Sequence, residues 1–280
     1  MRRIFIAALL GATIFACSPS AAPPIESEIS TSTYTHGRVV WHDLASPDPE
    51  ASKSFYESVF GWKAEPYGDG NRQIWVFQKD GEPIALMAKY QTKDGTGEWI
   101  GAISVPDVDA AVEKARSLGA VVLEDTRDSE SIGTVGFVQD DQGANISFIK
   151  FTNGDPEPEL GGIDEFLGLE LWSKNPESSI KFYSDIVGYK TAKMDGMGID
   201  YTMLQMDGKN CASVMQSPAE ATRAHWVPYV RVSDIDATVA KIKAAGGQML
   251  IEQAPEIRGG TAALFIDPTG APMAIQVYNP

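Results

Sequence analysis

Cysteine is nearly absent from this chain: Cys17 and Cys211 are the only two in 280 residues. A disulfide framework and a multi-cysteine zinc site are both excluded. Histidine is equally scarce, with His36, His42 and His225 the only three, so imidazole cannot furnish several metal sites. Positive charge is short as well. Lys and Arg number 23 against 38 Asp and Glu, a formal net charge of −15. Such a balance argues against nucleic-acid binding and against adhesion to anionic lipid by charge alone. The acidic residues are spread along the chain and read as solvated faces. Long apolar runs are missing apart from Ile4 to Ala16, which is too short for a comfortable membrane span.

That run follows Arg2 and Arg3 and ends in small residues, the layout of a secretory signal. Its end, Ile14-Phe15-Ala16-Cys17, resembles the lipobox of bacterial lipoproteins. The resemblance implies a signal peptide over 1–16, lipid on Cys17 and attachment to the membrane through that lipid only. Ser18 after the cysteine implies the outer membrane, facing the periplasm. The Ser/Thr/Pro-rich stretch to His36 then reads as a flexible tether, with 17–36 as its expected extent. Cys211 lies in an apolar strand-like run and reads as a small buried thiol.

What the chain has in abundance is itself. Leu44-Ala45-Ser46-Pro47-Asp48-Pro49-Glu50, Phe55-Tyr56 and Phe60-Gly61-Trp62-Lys63 return 127 positions later as Leu171-Trp172-Ser173-Lys174-Asn175-Pro176-Glu177, Phe182-Tyr183 and Val187-Gly188-Tyr189-Lys190. Val105 to Ala110 recurs as Val232 to Ala237, Trp99 as Trp226, and Asp140 as Asp267. With no net insertion between these anchors, the halves share one fold. Within the first half the pattern predicts a strand at 38–45 and a helix capped by Ser46 or Asp48 and ended by Gly61, then strands at 73–78 and 83–88. A second unit repeats the order: strand 99–105, helix 108–118, and strands near 121–123, 133–139 and 145–150. The Gly/Pro/acid-rich segment 153–163 reads as the linker between domains at 37–152 and 164–280.

These motifs resemble the vicinal oxygen chelate superfamily of glyoxalases, bleomycin resistance proteins and extradiol dioxygenases. The residues that carry the likeness are Asp48-Pro49-Glu50-Ala51, Phe55-Tyr56 and Phe60-Gly61-Trp62, then His225-Trp226 and Asp267-Pro268-Thr269-Gly270-Ala271. The resemblance implies an α+β fold of two tandem domains, each built of two βαβββ units whose sheet curls into a cup. In the superfamily, metal ligands line that cup. The matching positions here are Trp41, near Met87, Ile100 and Ser147 in one half, and Gly168, near Val214, Val227 and Ala274 in the other. None is a metal-ligating type, so no metal and no other cofactor is expected.

Strand parity lists what faces each cup instead. The first half offers Trp41, Asp43, Glu98, Ile100, Ala102 and Ser147. The second offers Glu170, Trp172, His225, Tyr229, Arg231, Ala274 and Gln276. Trp41, Asp43, Trp172, Tyr229, Arg231 and Gln276 are the expected ligand-binding residues, and Glu170 with His225 the candidate acid–base pair. The second cup, richer in polar groups, is the expected functional one. His42 shares a face with Val40 and Leu44 and is expected to pack, whereas Arg223 is expected in solvent. The leading expectation is an envelope-anchored protein that binds a small molecule without metal. A lyase, isomerase or dioxygenase-type enzyme using Glu170 and His225 is the alternative, and a structural or protein-interaction lipoprotein the third. Assembly into a homo-oligomer is left open.

Overall fold

The computed structural model describes residues 32–67, 73–90, 92, 95–129, 132–156, 161–194, 201–217, 223–255 and 257–279. The expected signal at 1–16, Cys17 and the expected tether up to residue 31 lie outside them. The first half runs β1 (Val39–Ser46), α1 (Pro49–Phe60), β2 (Lys63–Pro66), β3 (Ile74–Lys79), β4 (Glu82–Lys89), β5 (Glu98–Ser104), α2 (Val108–Ser117), β6 (Val121–Ser129), β7 (Gly133–Gln139) and β8 (Asn145–Phe151). The second repeats it as β9 (Phe166–Ser173), α3 (Pro176–Val187), β10 (Lys190–Met194), β11 (Tyr201–Met206), β12 (Lys209–Gln216), β13 (His225–Arg231), α4 (Ile235–Ala244), β14 (Gln248–Ile251), β15 (Ala262–Ile266) and β16 (Pro272–Gln276). The α+β architecture of four βαβββ units is therefore present in full.

Local chemistry sets the helix ends. Asp48 and its twin Asn175 cap α1 and α3, accepting from the amides of Ala51 and Ser178 at 3.2 Å, with proline just inside. Gly61 and Gly188 end these helices at φ 72° and 90°, a left-handed conformation that suits glycine. Sequence periodicity missed β2, whose four residues bury only Ala64 and so show no alternation. Each half forms one eight-stranded sheet, ordered β2-β3-β4-β1-β5-β8-β7-β6 and β10-β11-β12-β9-β13-β16-β15-β14. The antiparallel pairs β1–β5 and β9–β13 join the two units of each sheet.

The four helices lie on the faces opposite the cups, and there the halves share their cores. One core combines Val112 and Ala115 of α2 with Phe182 and Tyr183 of α3; the other combines Phe55 and Val59 of α1 with Ile235 and Ile242 of α4. The repeat's landmark residues meet in these layers. Trp99 donates to the Tyr56 hydroxyl at 2.8 Å, which donates to Asp267 of the other half at 3.0 Å. The twin relay runs from Trp226 to Tyr183 at 2.9 Å and on to Asp140 at 2.9 Å. Each aspartate also holds its own turn, Asp267 through Thr269 and Ala271 and Asp140 through Gln142 and Ala144. Trp99 and Trp226 are thus core residues.

Residues 33–36, expected at the flexible tether's end, are pinned instead. The Asp155 carboxylate accepts from the Thr35 amide at 2.6 Å and hydroxyl at 3.1 Å, and Tyr34 donates to the Phe151 carbonyl at 2.9 Å. The linker and the incoming chain therefore hold one another.

Candidate functional site

Asp43 on β1 and Glu170 on β9 are carboxylates at the same position of the repeat. A tryptophan indole donates to each, but from opposite sides. Trp41 reaches Asp43 at 3.2 Å from two residues before, and Trp172 reaches Glu170 at 3.3 Å from two residues after. Beyond that indole the two sites differ.

Glu170 is saturated. Besides Trp172, its oxygens accept from the Tyr229 hydroxyl at 2.6 Å and the Ser213 hydroxyl at 2.8 Å, and they pair with the Arg258 guanidinium. That guanidinium lies 4.8 Å from the Tyr201 ring centroid and 4.6 Å from that of Tyr229, a cation–π sandwich. Burial works against its charge, but Glu170 and the two tyrosines outweigh that and raise its pKa. The Tyr229 phenol is driven well above its ordinary range, first by burial and then by the Glu170 charge, so it donates at neutral pH. Met215, Leu264 and Ala274 complete a packed apolar floor. The second cup is filled by its own side chains.

Arg258 was not foreseen in the sequence, which offered Arg231 as a ligand-binding residue of this cup. Arg231 instead donates to the Gly161 carbonyl at 3.3 Å, because the linker returns along its strand end. Gln276 leans on Thr261 at 3.4 Å. The usable signal was Arg258-Gly259-Gly260 itself. All three residues have positive φ (49°, 64° and 79°), a turn that the glycines permit and that swings the arginine over the cup. In the first half β6 runs on to Ser129 where β14 stops at Ile251, and the position matching Arg258 is the uncharged Ser131, outside the described residues.

Asp43 has no such company. Among the described residues Trp41 is its one hydrogen-bond partner, and the repeat-equivalents of Tyr229 and Ser213 are Ala102 and Leu86. Its cross-strand partners are the apolar Leu86 and Ile100, and Ile74, Val76, Phe137 and Ile149 belong to the same apolar clusters as these two. Desolvation raises its pKa to about 7, against the downward pull of the Trp41 bond. Yet Asp43 keeps accessible surface while its flanking neighbours His42 and Leu44 are buried.

The expected pairing of Glu170 with His225 does not form. His225 lies with its Nδ1 3.9 Å from Glu98, which is its own twin in the repeat, so the two meet where the halves face each other. Arg223, expected in solvent, is half-buried there and bridges to Glu98 at 2.6 Å. Asn145 donates to the other Glu98 oxygen at 2.7 Å. These groups tie the halves together.

The metal-ligand positions remain without ligands. Met87 and Val214 turn toward the helices, and the cup residues beside them are Leu86 and Ser213. With Trp41, Ile100, Ser147, Gly168, Val227 and Ala274 they supply no imidazole or carboxylate. Among the described residues no three His, Cys, Asp or Glu converge as a metal site. The donor set does not fit a divalent ion.

The model of the Glyoxalase/Bleomycin resistance protein/Dioxygenase superfamily matches residues 38–148 and 162–275. The chain belongs to this superfamily. It is 30% identical over 246 residues to "Putative glyoxylase CFP32" of Mycobacterium tuberculosis, covering 86% of this chain and 94% of that one. It is 28% identical over 260 residues to the anthracycline biosynthesis protein DnrV of Streptomyces peucetius, with the same coverage. Among solved structures, an extradiol ring-cleaving dioxygenase from B. fuscum superposes with a TM-score of 0.61 at 16% identity, covering 89% of this chain and 74% of that one. The Mn(II)-bound glyoxalase from Novosphingobium aromaticivorans gives 0.57 at 14% identity, covering 86% and 82%. At such identities the superpositions speak for the superfamily fold alone.

Proposed function

We propose that this superfamily member binds a small, mainly apolar molecule in its first cup, without a metal, and recognises one polar group of that molecule through Asp43. The contrast between the twin carboxylates carries this reading. Glu170 is satisfied by three neutral donors and a guanidinium, whereas Asp43 has one indole donor and an apolar, aromatic surround. Pockets for small molecules combine such walls with few polar groups. With a pKa of about 7, the carboxyl is available both to donate to a ligand carbonyl and to accept from a ligand hydroxyl. Lipid on Cys17 would hold this binding at the cell envelope, with the outer membrane as the proposed site.

The same carboxyl supports a second reading, a metal-free proton transfer. A buried acid whose pKa lies near neutrality suits general acid–base work. Turnover of a first-cup ligand that is lost in Asp43→Asn, with binding retained, would favour that reading over binding alone.

The test is a small-molecule screen by thermal shift, with hits titrated by calorimetry. Trp41→Ala and Asp43→Asn should each weaken first-cup ligands about tenfold or more, the loss expected from about 1.4 kcal/mol. Glu170→Gln should leave them unchanged. Hits that survive both first-cup changes would sink the assignment. Elemental analysis of the purified protein should find no stoichiometric metal; about one divalent ion per chain, removable by chelator with loss of binding, would overturn the metal-free reading.

A further inference from the structure

A separate cavity of about 130 Å³ lies at the seam between the halves, bordered by the start of β1 and by β9 and β12. Roughly four liquid-water volumes of ~30 Å³ would fill it. His42 lines it, buried to 7% exposure, and its Nε2 is enclosed without a hydrogen-bond partner. The ring is stacked flat on Phe166, with centroids 3.9 Å apart and planes 6° apart, so its direction is fixed. Arg38 also lines the cavity, half-buried and without an ion pair among the described residues. Asn210 completes the polar wall; its carbonyl oxygen already accepts from Gln205 at 2.8 Å, which leaves its amide hydrogens to donate. Among the described residues no carboxylate borders the space, and Val39 and Leu167 give it a short apolar side.

The polar wall here is a guanidinium, an imidazole and an amide. Burial holds His42 neutral, with its pKa down at about 3, so the ring offers one N–H at neutral pH. A guanidinium with no ion pair among the described residues presents a planar fork that matches a carboxylate in two parallel hydrogen bonds. We propose that the seam cavity binds a small monocarboxylate, its anion held by Arg38 and His42 and its short alkyl part against Val39 and Leu167. This site is independent of the first-cup reading, since it uses the other face of β1.

The test uses the full chain, titrated with propionate, lactate and inorganic phosphate, and followed by calorimetry and by the imidazole resonances of the histidines. Propionate or lactate should bind saturably in the millimolar range or tighter, with phosphate about tenfold weaker. The His42 resonances should move while those of His36 and His225 stay. Arg38→Gln removes no ion pair to a described residue and should leave the melting temperature unchanged while weakening carboxylate binding about tenfold or more. His42→Leu, which installs the residue found at the twin position Leu169, should do the same. The proposal fails if no carboxylate saturates, if phosphate binds more tightly, or if binding persists undiminished in Arg38→Gln.

Discussion

Asp43 shows how one side chain carries opposite consequences for stability and for recognition. Its folded pKa of about 7 lies above the ordinary carboxylate value of 3.8. The folded state therefore binds the extra proton between those values, and stability is lost as pH rises through that window. Above about pH 7 the full penalty applies, at most ~4 kcal/mol for a shift of about three units. His42 acts in the opposite sense. Its pKa is lowered from 6.5 to about 3, so its contribution is present above 6.5 and is lost as pH falls toward 3. The two neighbours partly cancel between pH 4 and 6.5. Asp43→Asn should isolate one of them. The variant's gain in denaturant-measured stability over the parent should be near zero at pH 4, grow to pH 7 and then level off. A difference that does not vary with pH would show that Asp43 titrates normally.

Among the elements, the turn between β14 and β15 separates the two cups. It stores three consecutive positive-φ residues, one of them an arginine, and that strain is offset by the ion pair and ring contacts of Arg258. Removing the guanidinium strands a buried carboxylate, so Arg258→Met should destabilise the protein by ~3–5 kcal/mol. Adding Glu170→Gln removes the charge but keeps an acceptor for Tyr229 and Ser213, and should recover at least half of that loss. Equal instability of the single and double variants, in urea melts at pH 7, would mean that the ion pair is not the source. This turn also marks the limit of what the sequence reveals. Strand parity correctly placed Trp41, Asp43, Glu170, Trp172 and Tyr229 on cup faces, because alternation is a local property. It could not say which charge meets which. Arg258 reaches Glu170 across 88 positions, and Arg223 reaches Glu98 across 125. Richness in polar residues made the second cup look functional, when those residues satisfy one another.

For the whole molecule, the repeat was legible at once, but its purpose emerges only from the interface. Landmarks such as Tyr56, Trp99 and Asp267 recur because each half completes the other's relay, and the helices of both halves share two cores. Tyr56→Phe and Tyr183→Phe each remove the donor to a buried aspartate and the acceptor of an indole N–H. Each should lower stability by ~1–3 kcal/mol without splitting the unfolding transition. The same geometry predicts that a half is an incomplete folding unit despite its length. Residues 32–156 alone would expose the faces of α1 and α2 that now pack against α4 and α3, including Phe55, Val59 and Val112. Contiguous apolar surface of that kind drives association or loose packing. An isolated first half should therefore bind a hydrophobic dye and lose its near-ultraviolet circular dichroism, and mixing it with residues 161–279 should restore both the signal and a cooperative melt. A monomeric half that melts sharply by itself would show that the duplication joined two self-sufficient domains, and the relays would then be fastenings rather than part of the core.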